Sequence, residues 1–268
     1  MFGTFLHKYL RVPYQLHVHT DRKGVSSRAT VLLLHGMGNS GASWDAIVKK
    51  LPLDIRVISI DLLGFGRSPS PRWMKYDVRI QAQSVARTLL RMNIKTPLII
   101  VGHSMGSLTA IEIAKRYPLF IKSLILCSPP LYSNAEEREL LPSQGTMLRR
   151  FYQLVLKNPQ SIVQAAPLAV KLKIVGDAFD VTAKNVDIYL AALQSSIIHQ
   201  TALPDVSRLR KPIHIIHGIL DPVVIKKNLD QVVKDNDKAT LSLIPAGHEM
   251  LGAYIPAIVK AINQAVEA

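Results

Sequence analysis

The chain has 268 residues, 48% hydrophobic and 19% charged, with one Cys and a formal net charge of +14. No apolar run reaches the roughly 18–20 residues of a membrane-spanning helix. One Cys can neither staple a secreted mini-domain nor build a thiolate metal cluster, and this apolar content excludes wholesale disorder. The Lys and Arg residues lie in short scattered groups, such as Arg22-Lys23 and Arg208-Leu209-Arg210-Lys211. That distribution implies a weak, salt-sensitive attraction to polyanions and no specific nucleic-acid partner. The opening Met1-Phe2-Gly3-Thr4-Phe5-Leu6-His7-Lys8 lacks the basic start, apolar stretch and cleavage site of a secretory signal, so a cytoplasmic location is expected.

In chain order, residues 29–34, 56–60, 97–101, 121–127, 213–217 and 240–244 read as short strands rich in β-branched residues. Strands apolar on both faces suit a mostly parallel sheet with helices on either side. Asp77 is placed to cap a helix through Met92, residues 107–117 predict a second helix stopped by Pro118, and residues 255–266 predict the last. Strand and helix alternate, which defines an α/β class with right-handed crossovers. The alternation breaks after Ser128-Pro129-Pro130. From there helical spacing runs over residues 138–157 and 182–199, punctuated at Asn158-Pro159 and Gly176-Asp177. The expected division is a core in residues 1–128, a helical lid in 129–206, and the rest of the core in 207–268. The alternative for the middle stretch is a pair of ordinary packing helices. Cys127, ending a buried strand, reads as a small core residue.

The strongest chemical signal is Gly102-His103-Ser104-Met105-Gly106, directly after Leu98-Ile99-Ile100-Val101. A serine on a sharp strand-to-helix turn is held in a strained conformation that lifts its hydroxyl clear of the sheet. The following helix aims its first amides at a reacting oxygen. His35-Gly36-Met37-Gly38 follows another strand. Its Met37 amide can join the Met105 amide as an oxyanion hole, worth roughly 3–4 kcal/mol per donor in measured enzymes. The His35 side chain reads as structural. A serine also needs a base, and His248, in Ala246-Gly247-His248-Glu249 after the last strand, is best placed. His214 and His217 read as core histidines. His7, His17, His19 and His199 have no motif context, and His103 is the variable residue of the elbow. The carboxylate that would orient His248 is Asp221, beyond the strand at 213–217, where it also suits a helix N-cap ahead of Pro222. Asp61, within Asp61-Leu62-Leu63-Gly64-Phe65-Gly66-Arg67-Ser68, reads as structural, and Glu249 and Asp205 are weaker candidates.

Together these residues resemble the α/β-hydrolase superfamily, in its lid-bearing branch of small serine esterases and carbon–carbon bond hydrolases. The order Ser104, Asp221, His248 matches that family's order, and the likeness spans nearly the whole chain. It implies an α/β-hydrolase fold with a helical lid insertion and a small-molecule ester or acyl substrate cleaved through an acyl-enzyme. It requires no cofactor and no metal. Met147, Leu148, Phe151, Tyr152, Leu190 and Leu193 are candidates for an apolar substrate pocket, with core packing as their alternative. Ser104 stands where family dehalogenases and epoxide hydrolases carry aspartate. Met37 stands where cofactor-free haloperoxidases often have an aromatic residue, and Glu249 where ring-cleavage hydrolases commonly have Trp. Carboxylic-ester hydrolysis is therefore the leading expectation. Carbon–carbon or thioester cleavage is the alternative among enzymes, and a slow-turnover ligand-binding receptor is the alternative of another class. A His248 base implies activity that falls at acid pH with an apparent pKa near about 6–7.

Overall fold

The computed structural model describes residues 2–24, 29–132, 155 and 157–268. After a short helix α1 (Phe2–Lys8) come strand β1 (Val18–Arg22), β2 (Thr30–Leu34), the helical turn α2 (Asp45–Val48) and β3 (Arg56–Ile60). Helix α3 (Val78–Leu89), β4 (Leu98–His103), α4 (Met105–Arg116) and β5 (Ile121–Cys127) follow. Helices α5 (Pro159–Lys171), α6 (Val186–Ala192) and α7 (Ala202–Arg208) then lead to β6 (Ile213–Gly218), α8 (Lys226–Asp235), β7 (Ala239–Ile244) and α9 (Tyr254–Glu267).

The seven strands form one sheet in the order β1-β3-β2-β4-β5-β6-β7. All neighbours are parallel except β1, which runs antiparallel to β3 at the edge. The central strands β2, β3 and β4 are buried along their whole length, as a parallel sheet covered on both faces requires. Successive residues point to opposite faces, so two cores form. Leu32, Leu34, Ile58, Ile60 and Ile100 belong to one, with α3, α4 and the helices after β5. Val31, Leu33, Val57, Ile99 and Val101 belong to the other, with Trp44, Ile47 and the Tyr254, Ile258, Ala261 and Ile262 face of α9.

Register places the site. Leu34 ends β2 beside Gly102 of β4, His103 lies beside Cys127 of β5, and Gly218 ends β6 beside Ile244 of β7. The loops after β2, β4, β5, β6 and β7 therefore leave one carboxyl edge together, where open α/β sheets hold their ligands.

Several elements differ from the sequence-based reading. Strand β1 is new; its residues are alternately half-buried and exposed, so no apolar run announces it. Helix α4 starts two residues earlier than the 107–117 expectation, at Met105. Pro159 opens α5 at its first position, and Pro167 sits inside it; a first-turn proline surrenders only an amide the helix would leave unpaired anyway. The 182–199 stretch resolves into α6 and a wide π turn, Leu193–Ile198. Asp77 caps α3 as read, accepting the Ile80 amide at 2.9 Å. The helix expected at 138–157 lies almost wholly outside the described residues.

Candidate active site at the carboxyl edge of the sheet

Ser104 sits between β4 and α4 at φ 51° and ψ −117°, a backbone region hostile to side chains. Packing holds it there. A Cβ on Gly106 would run into the Leu34 carbonyl, and one on Gly102 into the Gly106 carbonyl. The turn is therefore pressed against β2 closely enough to admit only glycine at those positions. The Ser104 amide donates to the Cys127 carbonyl at 3.0 Å, tying the turn to β5.

Two groups distant in sequence line up behind this hydroxyl. His248 Nε2 lies 3.0 Å from Ser104 Oγ, and His248 Nδ1 lies 2.8 Å from Asp221 Oδ2. The Asp221 carboxylate only accepts, so Nδ1 carries a proton toward it, and Nε2 of the neutral ring faces the serine as an acceptor. Ser104 is 8% exposed and the His248 side chain 18% exposed, so solvent reaches the pair only narrowly.

The electrostatics follow from these contacts. Burial would raise the Asp221 carboxyl, but hydrogen bonds from His248, Ser128 and the Val223 amide, with the His248 charge, outweigh it and bring the pKa to about 2. Burial alone would lower the His248 pKa. The hydrogen bond and charge of Asp221, with the charge of Glu249, reverse that and hold it above the ordinary imidazole value. Glu249 is itself pushed up by burial, against the His248 charge and a hydrogen bond from Asn39.

Asp221 also fulfils its capping role, since Oδ1 accepts the Val223 and Val224 amides at 2.8 and 3.2 Å. Behind it lies a pair that the sequence reading missed. Ser128 Oγ donates to Asp221 Oδ2 at 2.6 Å and lies 2.6 Å from the Tyr254 hydroxyl, which accepts the Gly218 amide at 3.0 Å. His103 was also missed: its Nε2 lies 2.8 Å from the His248 carbonyl oxygen and donates to it. Burial and the His248 charge take His103 down to about 3, so the ring is neutral at ordinary pH. The sequence carries one signal for Ser128, which directly follows a strand at the same sheet edge as the loops bearing Ser104, Asp221 and His248. Tyr254 has no such mark.

The 35–38 loop lies beside the serine. A Cβ on Gly36 would meet His103 Nδ1 at 2.7 Å and Ser104 Cβ at 3.4 Å. Among the described residues, no carbonyl or side chain takes the amide hydrogen of Met37 or Met105. His35 is buried as a strut: Nε2 accepts the Leu62 amide at 2.8 Å, and Nδ1 donates to the Gly36 carbonyl at 2.7 Å. Burial, only partly opposed by the Gly36 hydrogen bond and the Asp61 charge, lowers it to about 4.

The other candidates lie elsewhere. Asp61 accepts the Gly41 amide at 2.7 Å and the Arg67 amide at 2.8 Å, and pairs with His17; it organises its own turn. Asp205 pairs with Lys115 at 2.8 Å. His214 lies 2.8 Å from Thr240 Oγ1. His217 is buried, its Nδ1 4.0 Å from Asp221 Oδ2. Cys127 is buried in the core. Leu193 belongs to the core, with Leu190 packed partly buried against it. Met147, Leu148, Phe151 and Tyr152 lie outside the described residues. Among the described residues, no group of three or more His, Cys, Asp or Glu side chains is placed to hold a metal ion.

A family model for the alpha/beta hydrolase fold matches residues 29–170, and the chain belongs to that family. It is 33% identical over 156 residues to the lipase LipV of Mycobacterium tuberculosis, covering 58% of this chain and 54% of that one. It is 36% identical over 114 residues to a probable lysophospholipase, BODYGUARD 3, of Arabidopsis thaliana, covering 41% of this chain and 23% of the relative. The matched region thus spans only about a quarter to a half of these curated relatives. Among solved structures, an esterase from Exiguobacterium antarcticum superposes with a TM-score of 0.74 at 15% identity, over 96% of this chain and 100% of the other. An enol-lactonase from Burkholderia xenovorans gives 0.70 at 18% identity, over 94% and 96%. At these identities the two structures speak for the fold alone.

Proposed function

We propose that this chain is a serine hydrolase that cleaves carboxylic esters of small to medium, largely apolar substrates through an acyl-enzyme. The observation that carries the reading is the unbroken line from Ser104 Oγ to His248 Nε2 at 3.0 Å and from His248 Nδ1 to Asp221 at 2.8 Å. His248 takes the Ser104 proton as the hydroxyl oxygen attacks the ester carbonyl. The Met37 and Met105 amides receive the negative charge that develops on the carbonyl oxygen. The tetrahedral intermediate collapses, and His248 returns the proton to the leaving alcohol. Water then attacks the acyl group with His248 as base, releasing the acid and restoring Ser104. Asp221 keeps the imidazole in the required tautomer and balances its charge when protonated. No step calls for a metal or organic cofactor.

The segment 129–206 acts as a lid in this reading. Its Phe179 and Tyr189 press on Gly38 of the 35–38 loop, and the Asp180 amide donates to the Gly38 carbonyl at 2.7 Å. Movement there would reach the oxyanion amides directly. The lipase and lysophospholipase names of the sequence relatives extend the substrate panel to single-chain phospholipids.

The test is turnover of p-nitrophenyl esters of increasing acyl length, with lysophosphatidylcholine alongside. Rates above roughly 1 s⁻¹ on at least one ester, lost in Ser104→Ala, are expected. Tight ligand binding with negligible turnover of every ester would replace the enzyme reading with the receptor one.

A further inference from the structure

On a part of the molecule sharing no residue with the triad, helix α1 and the segment after it meet the 73–80 segment around a cavity of about 570 Å³. Lys8, Arg11, Tyr14, Trp73, Lys75 and Arg79 are among its lining residues. The rings form two groups on this face. His7 stacks on Tyr14 at 3.6 Å, Tyr14 lies 6.3 Å from Trp73, and Phe5 lies 5.6 Å from Tyr9. Large apolar side chains here face water instead of the core: Phe5 is 49% exposed, Tyr9 65%, Leu10 57% and Trp73 38%.

The charge at this place is one-sided. Among the described residues, Lys8, Arg11, Lys75 and Arg79 have no carboxylate partner. The one acid in the lining, Asp77, already accepts the Ile80 amide as the cap of α3. Elsewhere on the surface some cations do have a carboxylate partner, as in Lys115–Asp205, Lys173–Asp177 and Lys226–Asp230.

We propose that this face docks the protein on an anionic lipid surface. Exposed aromatic and aliphatic side chains flanked by cations without carboxylate partners match the boundary between headgroups and acyl chains. There rings and Leu lie in the apolar layer while Lys and Arg reach phosphate. A nucleic acid or soluble polyanion would use the cations but leave Leu10 and Phe5 without a role. The four cations match the negative potential of an anionic bilayer, which draws basic groups within a Debye length. No helix among the described residues is long and apolar enough to cross a membrane; the proposed attachment lies in the plane of the surface. The proposal is independent of the catalytic reading.

The chain supplies its own probe. It has two Trp; Trp44 is fully buried in the core, so a change in emission on vesicle binding reports Trp73. Vesicles of phosphatidylcholine with a third phosphatidylglycerol are expected to shift the emission to the blue and to co-sediment with the protein. Pure phosphatidylcholine vesicles should bind at least tenfold more weakly. Trp73→Phe should abolish the shift while retaining sedimentation. The triple variant Lys8→Glu, Arg11→Glu, Lys75→Glu should lose at least tenfold in binding with its circular dichroism and melting temperature unchanged. Absence of vesicle binding overturns the proposal. So does binding to anionic vesicles with no emission shift and no loss in the triple variant, which would place the attraction elsewhere on a +14 chain. Release from the vesicles by millimolar inorganic phosphate, or binding of an RNA oligonucleotide at this face in preference to vesicles, overturns it in favour of a soluble anion.

Discussion

The Tyr254 hydroxyl lies 2.6 Å from Ser128 Oγ, and the direction of that hydrogen bond is fixed by its neighbours. Ionised Asp221 can only accept, so Ser128 spends its one proton on Oδ2. Ser128 then accepts from Tyr254, whose oxygen accepts the Gly218 amide. The result is a one-way relay, from the end of β6 through α9 to the carboxylate facing His248. In Tyr254→Phe the Gly218 amide and the Ser128 lone pairs lose their buried partner, a loss of about 1–3 kcal/mol. Both Tyr254→Phe and Ser128→Ala are expected to lower kcat on a p-nitrophenyl ester roughly 5–30-fold with KM little changed. Ser128→Ala also removes a hydrogen bond that helps hold the Asp221 pKa at about 2. Unchanged kcat in both variants would show that Asp221 is held well enough by the Val223 and Val224 amides alone.

Ser104 stores strain at φ 51° and ψ −117°. Alanine there removes the hydroxyl and keeps the strained Cβ; glycine removes both. Both variants are expected to be inactive. Ser104→Gly should be more stable than Ser104→Ala by about 1 kcal/mol, the released strain less the extra freedom of an unfolded glycine. Equal melting temperatures in calorimetry would mean that the turn carries no strain for glycine to relieve.

How far the sequence could be read depended on where each residue sits. Ser104, Asp221 and His248 were singled out because each follows a β-branched run, and the register of a parallel sheet turns that position into a place on one edge. The glycines at 102 and 106 stood out for the same reason, since close backbone approach leaves a compositional mark. Tyr254 left none, because it lies on an amphipathic helix where a buried aromatic ring usually means packing, and only its hydroxyl distinguishes it. His103 fell at the motif's unrestricted position, and its bond to the His248 carbonyl spans 145 positions. No local pattern records a contact at that separation. Strand β1 was missed because its half-exposed alternation includes His19, Asp21 and Arg22. Asp21 in fact holds the Arg56 guanidinium through two hydrogen bonds of 2.8 Å, a pairing that only the antiparallel edge brings about.

In the proposed reaction His248 must be neutral to take the Ser104 proton, and Asp221 holds its pKa above the usual value of 6.5. The acid limb of kcat/KM is therefore expected to have its midpoint above the ordinary imidazole value. In Asp221→Asn the two largest raising causes are gone, and burial, opposed only by the Glu249 charge, lowers the imidazole pKa. The limb should move to lower pH than in the unaltered protein, while the plateau falls on the order of 10³–10⁴-fold. A limb that stays in place when Asp221 is neutralised would mean that another group governs it.

Stability should follow a different set of histidines. His35 and His103 are buried and neutral, at about 4 and about 3, whereas in the unfolded chain both titrate near about 6.5. Between those values the unfolded state binds protons that the folded state refuses, so stability falls as pH drops through the window. His248 acts in the opposite sense. Its raised pKa contributes stability that is present below the unfolded value and lost as pH rises through the folded one, so it offsets only part of the acid loss. Asp221 contributes stability above its unfolded pKa, which is lost only as pH falls toward about 2. The melting temperature is therefore expected to decline from about pH 6.5 downward, well before Asp221 protonates. His103→Gln, which keeps an amide donor for the His248 carbonyl but cannot titrate, should make that decline shallower by about one proton. Parallel curves of melting temperature against pH for the two proteins would place the acid sensitivity in groups other than His103.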